Sequence, residues 1–261
     1  MNLNPEAYRK AWATRLSSRW DWLSANGSEL ELIPFFRSSR MDFLQHFLPG
    51  KPLENNGQDS LGLMFSWAKN EHLSAGIDLE WADGFLTEYQ ENPVDSGSEF
   101  LKQTRPQGFH YDYTVKALNT AAWIQWQAEL RSNLNFTVGL RAEHLAYRYD
   151  NKMVDGNTRD DGTECGFGGC LYTRPADRND SFTNFSPELG LGYVLSEEKT
   201  LYLRASRGFR APQATELYRL QSGQDVADLN SEILNSLEIG VKSQSDSLFY
   251  EFAIYRMQKH N

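Results

Sequence analysis

The sequence contains no apolar run approaching the roughly 20 residues that a membrane-spanning helix needs. Its most apolar stretch, Ala121 to Trp126, is interrupted by Gln125 and followed by Gln127. With a mean hydropathy of -0.60, a helical membrane protein is excluded. Basic charge is also scarce. Lys and Arg total 26 against 35 Asp and Glu, for a net charge of -9, and no basic stripe is present to neutralise phosphates, so no nucleic-acid partner is expected. Only two cysteines occur, Cys165 and Cys170. Four intervening residues, three of them glycine, let their Cα atoms approach to bonding range. A lone pair at this spacing makes a poor zinc site and suits a disulfide formed in an oxidising compartment. Met1 to Glu6 has neither the basic nor the apolar region of a signal peptide.

Catalytic signatures are missing too. No G-x-S-x-G, H-E-x-x-H or G-x-x-x-x-G-K-[ST] occurs, and no cofactor is implied. Gly166 to Gly169 lies between the cysteines rather than between a strand and a helix. His46, His72, His110, His144 and His260 are scattered without ligand spacing. Asp150, Asp155, Asp160 and Asp161 miss the register of a calcium loop. Neither an enzyme nor a metal centre is expected.

What the chain does have is alternation. Aromatics make up 13% of it, including 7 Trp and 12 Tyr, residue types favoured at bilayer interfaces. Ala122, Ile124, Trp126, Ala128 and Leu130 alternate with Trp123, Gln125, Gln127 and Glu129. Phe136, Val138, Leu140 and Ala142 alternate with Thr137, Gly139, Arg141 and Glu143. The same period of two runs through Leu73 to Trp81, Leu189 to Leu195, Leu201 to Ala205 and Leu237 to Val241. A helix would scatter the charges among the apolar residues, so these segments predict strands, about ten in all. Short turns fall near residues 24–28, 69–71, 131–133, 196–199 and 243–247. Long links fall near 45–59, 91–112, 150–181 and 210–235. Short and long connections strictly alternate, which in an up-and-down meander puts all the long loops at one end, the pattern of outer-membrane barrels. A soluble β-sandwich or lipocalin-like barrel is the competing reading, but its strands are usually shorter and nothing in it confines long loops to one end. On the barrel reading, Ala122, Ile124, Trp126, Phe136, Val138 and Leu140 face outward, and Gln125, Glu129, Arg141 and Glu143 face inward.

One region is more specific. Arg204, Gly208, Phe209, Arg210, Ala211 and Pro212 close a strand reading Y-L-R-A-S-R-G-F-R-A-P. Glu216, Leu217 and Tyr218 follow, then Leu229 to Glu232, then a strand carrying Glu238, Gly240 and Lys242. These elements, in this order, resemble the barrel signature of TonB-dependent outer-membrane receptors, and Phe185 to Tyr193 fits the strand that precedes it in that family. Pro212 cannot donate to a ladder and should mark the point where the strand leaves the wall, and Gly208 would permit a bulge or a close approach. The resemblance implies an all-β, antiparallel, transmembrane barrel of roughly 22 strands, filled by an N-terminal plug that meets the TonB complex. Residues 1–261 would then be a partial barrel domain, truncated at both ends and lacking the plug. Such a piece should be an open sheet whose first and last strands are unpaired edges, and it should not function alone.

The activity implied is uptake of a ferric siderophore or similar bulky nutrient across the outer membrane of a Gram-negative cell. A passive porin or adhesin-type barrel is the alternative. In this family ligand contacts come from loops and plug. The candidates here are Tyr89, Phe109, His110, Tyr111 and Tyr113 at the loop bases, with Arg210 placed to meet an anionic iron chelate. The competing role for the tyrosines is an interfacial girdle.

Overall fold

The computed structural model describes residues 6–45, 50–95, 97–224, 229–245 and 247–260. Residues 1–5, His46 and Asn261 lie outside that set. The elements run β1 (Arg9–Ser17), β2 (Trp20–Leu23), β3 (Ser28–Leu44), β4 (Leu53–Lys69), β5 (Leu73–Gln90), α1 (Glu99–Thr104), β6 (Gly108–Arg131) and β7 (Leu134–Asn151). They continue with β8 (Tyr172–Thr173), β9 (Arg178–Ser196), β10 (Lys199–Arg210), α2 (Ala214–Tyr218), β11 (Leu220–Gln221), β12 (Glu232–Gln244) and β13 (Phe249–His260). The main sheet is an antiparallel meander in the order β1-β3-β4-β5-β6-β7-β9-β10-β12-β13, with β2 also beside β3. β1 and β13 are its two edges and do not pair with each other. β8 and β11 form a separate small ladder between two long links.

Alternation decides which residues share a face. On one face, Phe36, Leu61, Trp81, Leu118 and Ala146 stand in one row across five strands. Successive rows below it carry Leu63, Leu79, Phe65, Ile77, Trp67 and Ile124. This apolar face is the exposed one: Ile77 is 50% accessible, Trp81 47% and Ile124 50%. Val138 and Leu140 are exposed beside them, and Phe136 meets the edge of Trp126 at 5.7 Å between centroids. A sheet folded for water would bury this set.

The opposite, inner face carries the charges. Arg141 bonds Asp78 at 2.5 Å and Glu143 at 3.1 Å, Gln125 donates to Glu188 at 2.9 Å, and Arg37 pairs with Glu80 at 3.3 Å. Gly240 serves this face directly, because a Cβ there would lie 2.6 Å from the Tyr202 ring, which rests on the bare backbone.

The apolar band has a sharp upper edge. One row above Trp81, the in-register outer residues are Asp59, Asp83, Lys116 and Arg148. From Leu73 to Trp81 the chain takes eight steps of roughly 3.3 Å. At a tilt of about 40° this gives ~20 Å of height, close to the ~25 Å apolar belt of an outer-membrane barrel.

The turns lie where the sequence puts them. Between β2 and β3, Ser24 and Ser28 close a hairpin at 2.8 Å in which Gly27 takes φ +78°. The long links are shorter than expected, because the strands run further. β4 begins at Leu53, β6 at Gly108 and β12 at Glu232, so residues 53–59, 108–112 and 232–235 are wall rather than loop. Above the charged row polar residues such as Asn55, Thr87, Asp112 and Thr114 stand on the outer face while Leu86, Tyr111 and Tyr113 stand on the inner one, so the lipid-facing alternation fades while the ladder with neighbouring strands continues. Gly208 forms no bulge: its register with Leu234 is regular, and nothing lies within 4 Å of where its Cβ would be. A register shift falls instead at Glu88/Tyr89.

Candidate functional site at the loop end of the inner face

The fold's buried cluster lies under the long links, at the loop end of the inner face. Leu86, Tyr111, Tyr113 and Tyr149 from the wall pack with Cys165, Cys170, Tyr172, Leu217 and Tyr218 from the links. Tyr218 stacks on Tyr149 with centroids 4.3 Å apart and donates its hydroxyl to Asp180 at 2.8 Å. Burial, with Asp180 adding to it, holds the Tyr218 phenol above its ordinary pKa. Tyr111 donates to the Leu220 carbonyl at 2.5 Å and Tyr147 to that of Pro212 at 3.3 Å. The links that follow β7 and β10 are thereby folded inward onto the wall.

Each link is tied down by identifiable chemistry. Arg210, at the end of β10, reaches both Glu216 oxygens at 3.0 Å and Glu232 at 2.9 Å. Glu216 also accepts the Gln213 amide at 2.8 Å, completing a capping box at the start of α2. The Arg210 hydrogen bonds hold the Glu216 carboxyl below the usual carboxylate range. In the 152–177 link, Cys165 and Cys170 are joined by a disulfide with Cα atoms 5.1 Å apart. Arg174, 1% exposed, donates to the carbonyls of Val154, His110, Thr158 and Arg159.

Two clefts open between these links and the wall. The first, of about 580 Å³, lies between the inner face of β3 to β7 and the start of α2, lined by Arg37, Glu80, Asn119, Tyr147 and Gln213 among others. The second, of about 660 Å³, is lined by Arg9, Glu54, Glu88, Arg105, Tyr172 and Arg219 among others. Within it Arg219 bridges Glu54 at 3.0 Å and Glu88 at 2.5 Å. Burial lowers the Arg219 pKa, but the two carboxylates outweigh it and hold the guanidinium above its ordinary value. His110 is fully buried, with its ring nitrogens 3.0 Å from Glu88 and 2.8 Å from the Pro106 carbonyl. Among the described residues no group of three or more His, Cys, Asp or Glu is placed to hold a metal ion.

A family model described as TonB dependent receptor-like, beta-barrel matches residues 2–261. The chain belongs to the TonB-dependent receptor family. Solved structures of the same fold include the ferric-catecholate import receptor Fiu from K12 E. coli in its closed form, at 15% identity and TM-score 0.68, over 98% of this chain and 42% of that one. The alcaligin outer-membrane receptor FauA from Bordetella pertussis matches at 16% identity and TM-score 0.62, over 98% and 38%. The copper transporter OprC matches at 13% and 0.64, over 95% and 40%. This chain therefore spans about two-fifths of the length of these structures. No curated protein matched it by sequence.

Within the receptor fold, the signature residues have concrete work. Arg210, Glu216 and Glu232 tie α2 to two strands, while Leu217 and Tyr218 drive it into the buried cluster. Arg204, Glu238, Gly240 and Lys242 share the inner face, where Lys242 pairs with Glu251 at 3.2 Å. Phe209 lies on the opposite face, and Ala211-Pro212 follow the last residue of β10.

The six residues expected to touch ligand do not form one site. Tyr89 and Phe109 pack on each other at 4.8 Å on the outer face, well above the charged row. Tyr111 and Tyr113 are buried in the cluster, where Tyr111 also lines the second cleft and Tyr113 the first, and His110 lies behind Glu88. Arg210 is engaged by two carboxylates. Arg105 and Arg219, which line the second cleft beside Tyr111, carry no sequence motif. The one hint was their position next to turn residues in long links, Arg105 before Pro106 and Arg219 after the E-L-Y segment.

Proposed function

We propose that this chain is part of an outer-membrane receptor that takes up a ferric siderophore or a similar bulky, scarce chelate, with energy supplied through TonB. The observation that carries this reading is the inward folding of the long links. A passive pore needs an unobstructed lumen. Here α2 and the disulfide-bearing link lie over the inner wall and frame polar, aromatic-edged clefts large enough for parts of a drug-sized ligand. Membership of a transport family supports the absence of a catalytic role, as does the shared fold with a ferric-catecholate import receptor. The apolar outer band matches bilayer height, which supports an outer-membrane location.

The test is uptake of radioactive iron by cells carrying or lacking the gene, with catecholate, hydroxamate and carboxylate chelates offered separately. The expected result is gene-dependent accumulation of at least one chelate, abolished by collapsing the proton-motive force. Gene-dependent accumulation that persists without that force would instead make the protein a passive pore.

A further inference from the structure

Arg105 is the residue of the loop-end cluster whose chemistry is left unanswered. It caps the C-terminus of α1, its backbone amide bonding the Leu101 carbonyl at 3.1 Å, and Pro106 follows, so its position is fixed on both sides. Its side chain is half-buried, yet its Nε is shielded from water and has no hydrogen-bond partner among the described residues. No ion pair reaches the guanidinium among the described residues. A guanidinium so placed is costly unless an anion or a set of acceptors meets it.

The nearby carboxylates are already committed. Glu88 is held by Arg219 and by His110, and Glu54 by Arg219, Gln45 and Asn56. Among the described residues the cleft thus carries Arg9, Arg105 and Arg219 against the carboxylates of Glu54 and Glu88, an excess of positive charge. Tyr172 lines the same cleft: it is 3% exposed, and among the described residues its hydroxyl makes no well-formed hydrogen bond, with Arg174 the group beside it. Burial pushes that phenol up to about 12, so it remains a donor. Burial also pulls the Arg105 guanidinium below its ordinary value, with Glu88 opposing.

We infer that this cleft recognises an oxyanion carried by the transported chelate, with Arg105 as its principal donor, so that the substrate is an anionic chelate and not a neutral one. The inference rests on the uptake reading and narrows it. It also moves the anion contact from Arg210, which Glu216 and Glu232 already neutralise, to Arg105.

The experiment uses the whole receptor purified in detergent, with ferric citrate, an anionic ferric tris-catecholate and a neutral ferric trihydroxamate as probes. Expected is binding of at least one anionic probe at least tenfold tighter than the neutral one, weakening as salt is raised. Arg105→Gln should reduce that affinity roughly tenfold or more, as loss of a charge-assisted bond predicts. Arg105→Lys should retain part of it, and Arg207→Gln, on the outer face, all of it. Preference for the neutral probe, binding of none of the three, or an Arg105→Gln variant that keeps wild-type affinity would each overturn the inference. So would an equal loss for charged and neutral probes, which would mark the change as structural. The two readings fail separately. Energised uptake of a neutral chelate would leave the uptake reading standing and remove this one. Anion binding without energised uptake would do the reverse.

Discussion

Truncating Leu217 to alanine should undock α2 without disturbing the barrel wall. α2 has only five residues, far fewer than a helix needs to persist alone in water, so its order comes from docking. Leu217 is 1% exposed and Tyr218 is fully buried in the tyrosine cluster. Removing a buried leucine side chain costs about 2–5 kcal/mol when the cavity does not collapse, and a link can relax more than a core, so the lower half of that range applies. At about 1.4 kcal/mol per factor of ten, amide protection of residues 214–221 should fall by roughly 30-fold to several hundred-fold. The assay is hydrogen exchange on the whole receptor in detergent. Thr215→Ala, at an exposed position of the same helix, should shift protection by less than about threefold. Amides of the wall strands β6 and β7 should be unchanged in both variants. If Leu217→Ala leaves α2 as protected as in the wild type, the tyrosine cluster does not hold the link, and docking is not what orders α2.

Three further outcomes follow. Ile77→Arg places a charge near mid-height of the apolar band and should destabilise the refolded receptor in lipid vesicles by about 2–4 kcal/mol, read by denaturant unfolding, whereas Ile77→Leu should be nearly neutral. Replacing Cys165 and Cys170 by serine removes a short covalent loop worth about 2 kcal/mol on the chain-entropy account, so amides of the 152–177 link should exchange roughly 30-fold faster, as they should after reduction of the wild type. Because the Glu216 pKa is depressed in the folded state by Arg210, its contribution is complete above the ordinary value of 4.5 and is lost as pH falls through the folded one. α2 protection, corrected for intrinsic exchange, should be flat from neutral pH down to that value and fall below it. Glu216→Gln should lower protection at neutral pH and remove the acid step.

The wall was legible in the sequence because one physical constraint acts at every second residue. Ile77, Ile124 and Leu140 contact a different solvent from Asp78, Gln125 and Arg141, and the chain records that difference. Strand ends were not legible for the same reason. Asn55, Gly57 and Asp59 lie above the apolar band, where neither face meets lipid, so β4 continues there without its pattern. The signature around Arg210 announced the family, but its role as a tie between β10, α2 and β12 depends on geometry. The cleft-lining residues were the least legible. Tyr111 and Tyr113 carry the same aromatic signal whether they meet a ligand or a link, and only the geometry shows links packed onto them while each also lines a cleft. Arg105 stands out only once Glu88 and Glu54, 17 and 51 positions earlier, are seen to be committed to Arg219.

The claim on which the rest depends is that this sheet is a wall with lipid on one side and a wet lumen on the other. Single nitroxide labels placed in turn at residues 73 to 83 of the whole receptor in bilayers test it directly, through collisions with oxygen and with a water-soluble nickel chelate. Labels at the Leu73, Ala75, Ile77, Leu79 and Trp81 positions should be accessible to oxygen and not to nickel. The even-numbered positions between them should show the opposite preference, and Asp83 should switch to nickel at the charged row. Odd positions that are shielded from both reagents would mean the apolar face is packed against protein, and the membrane-wall account would not stand.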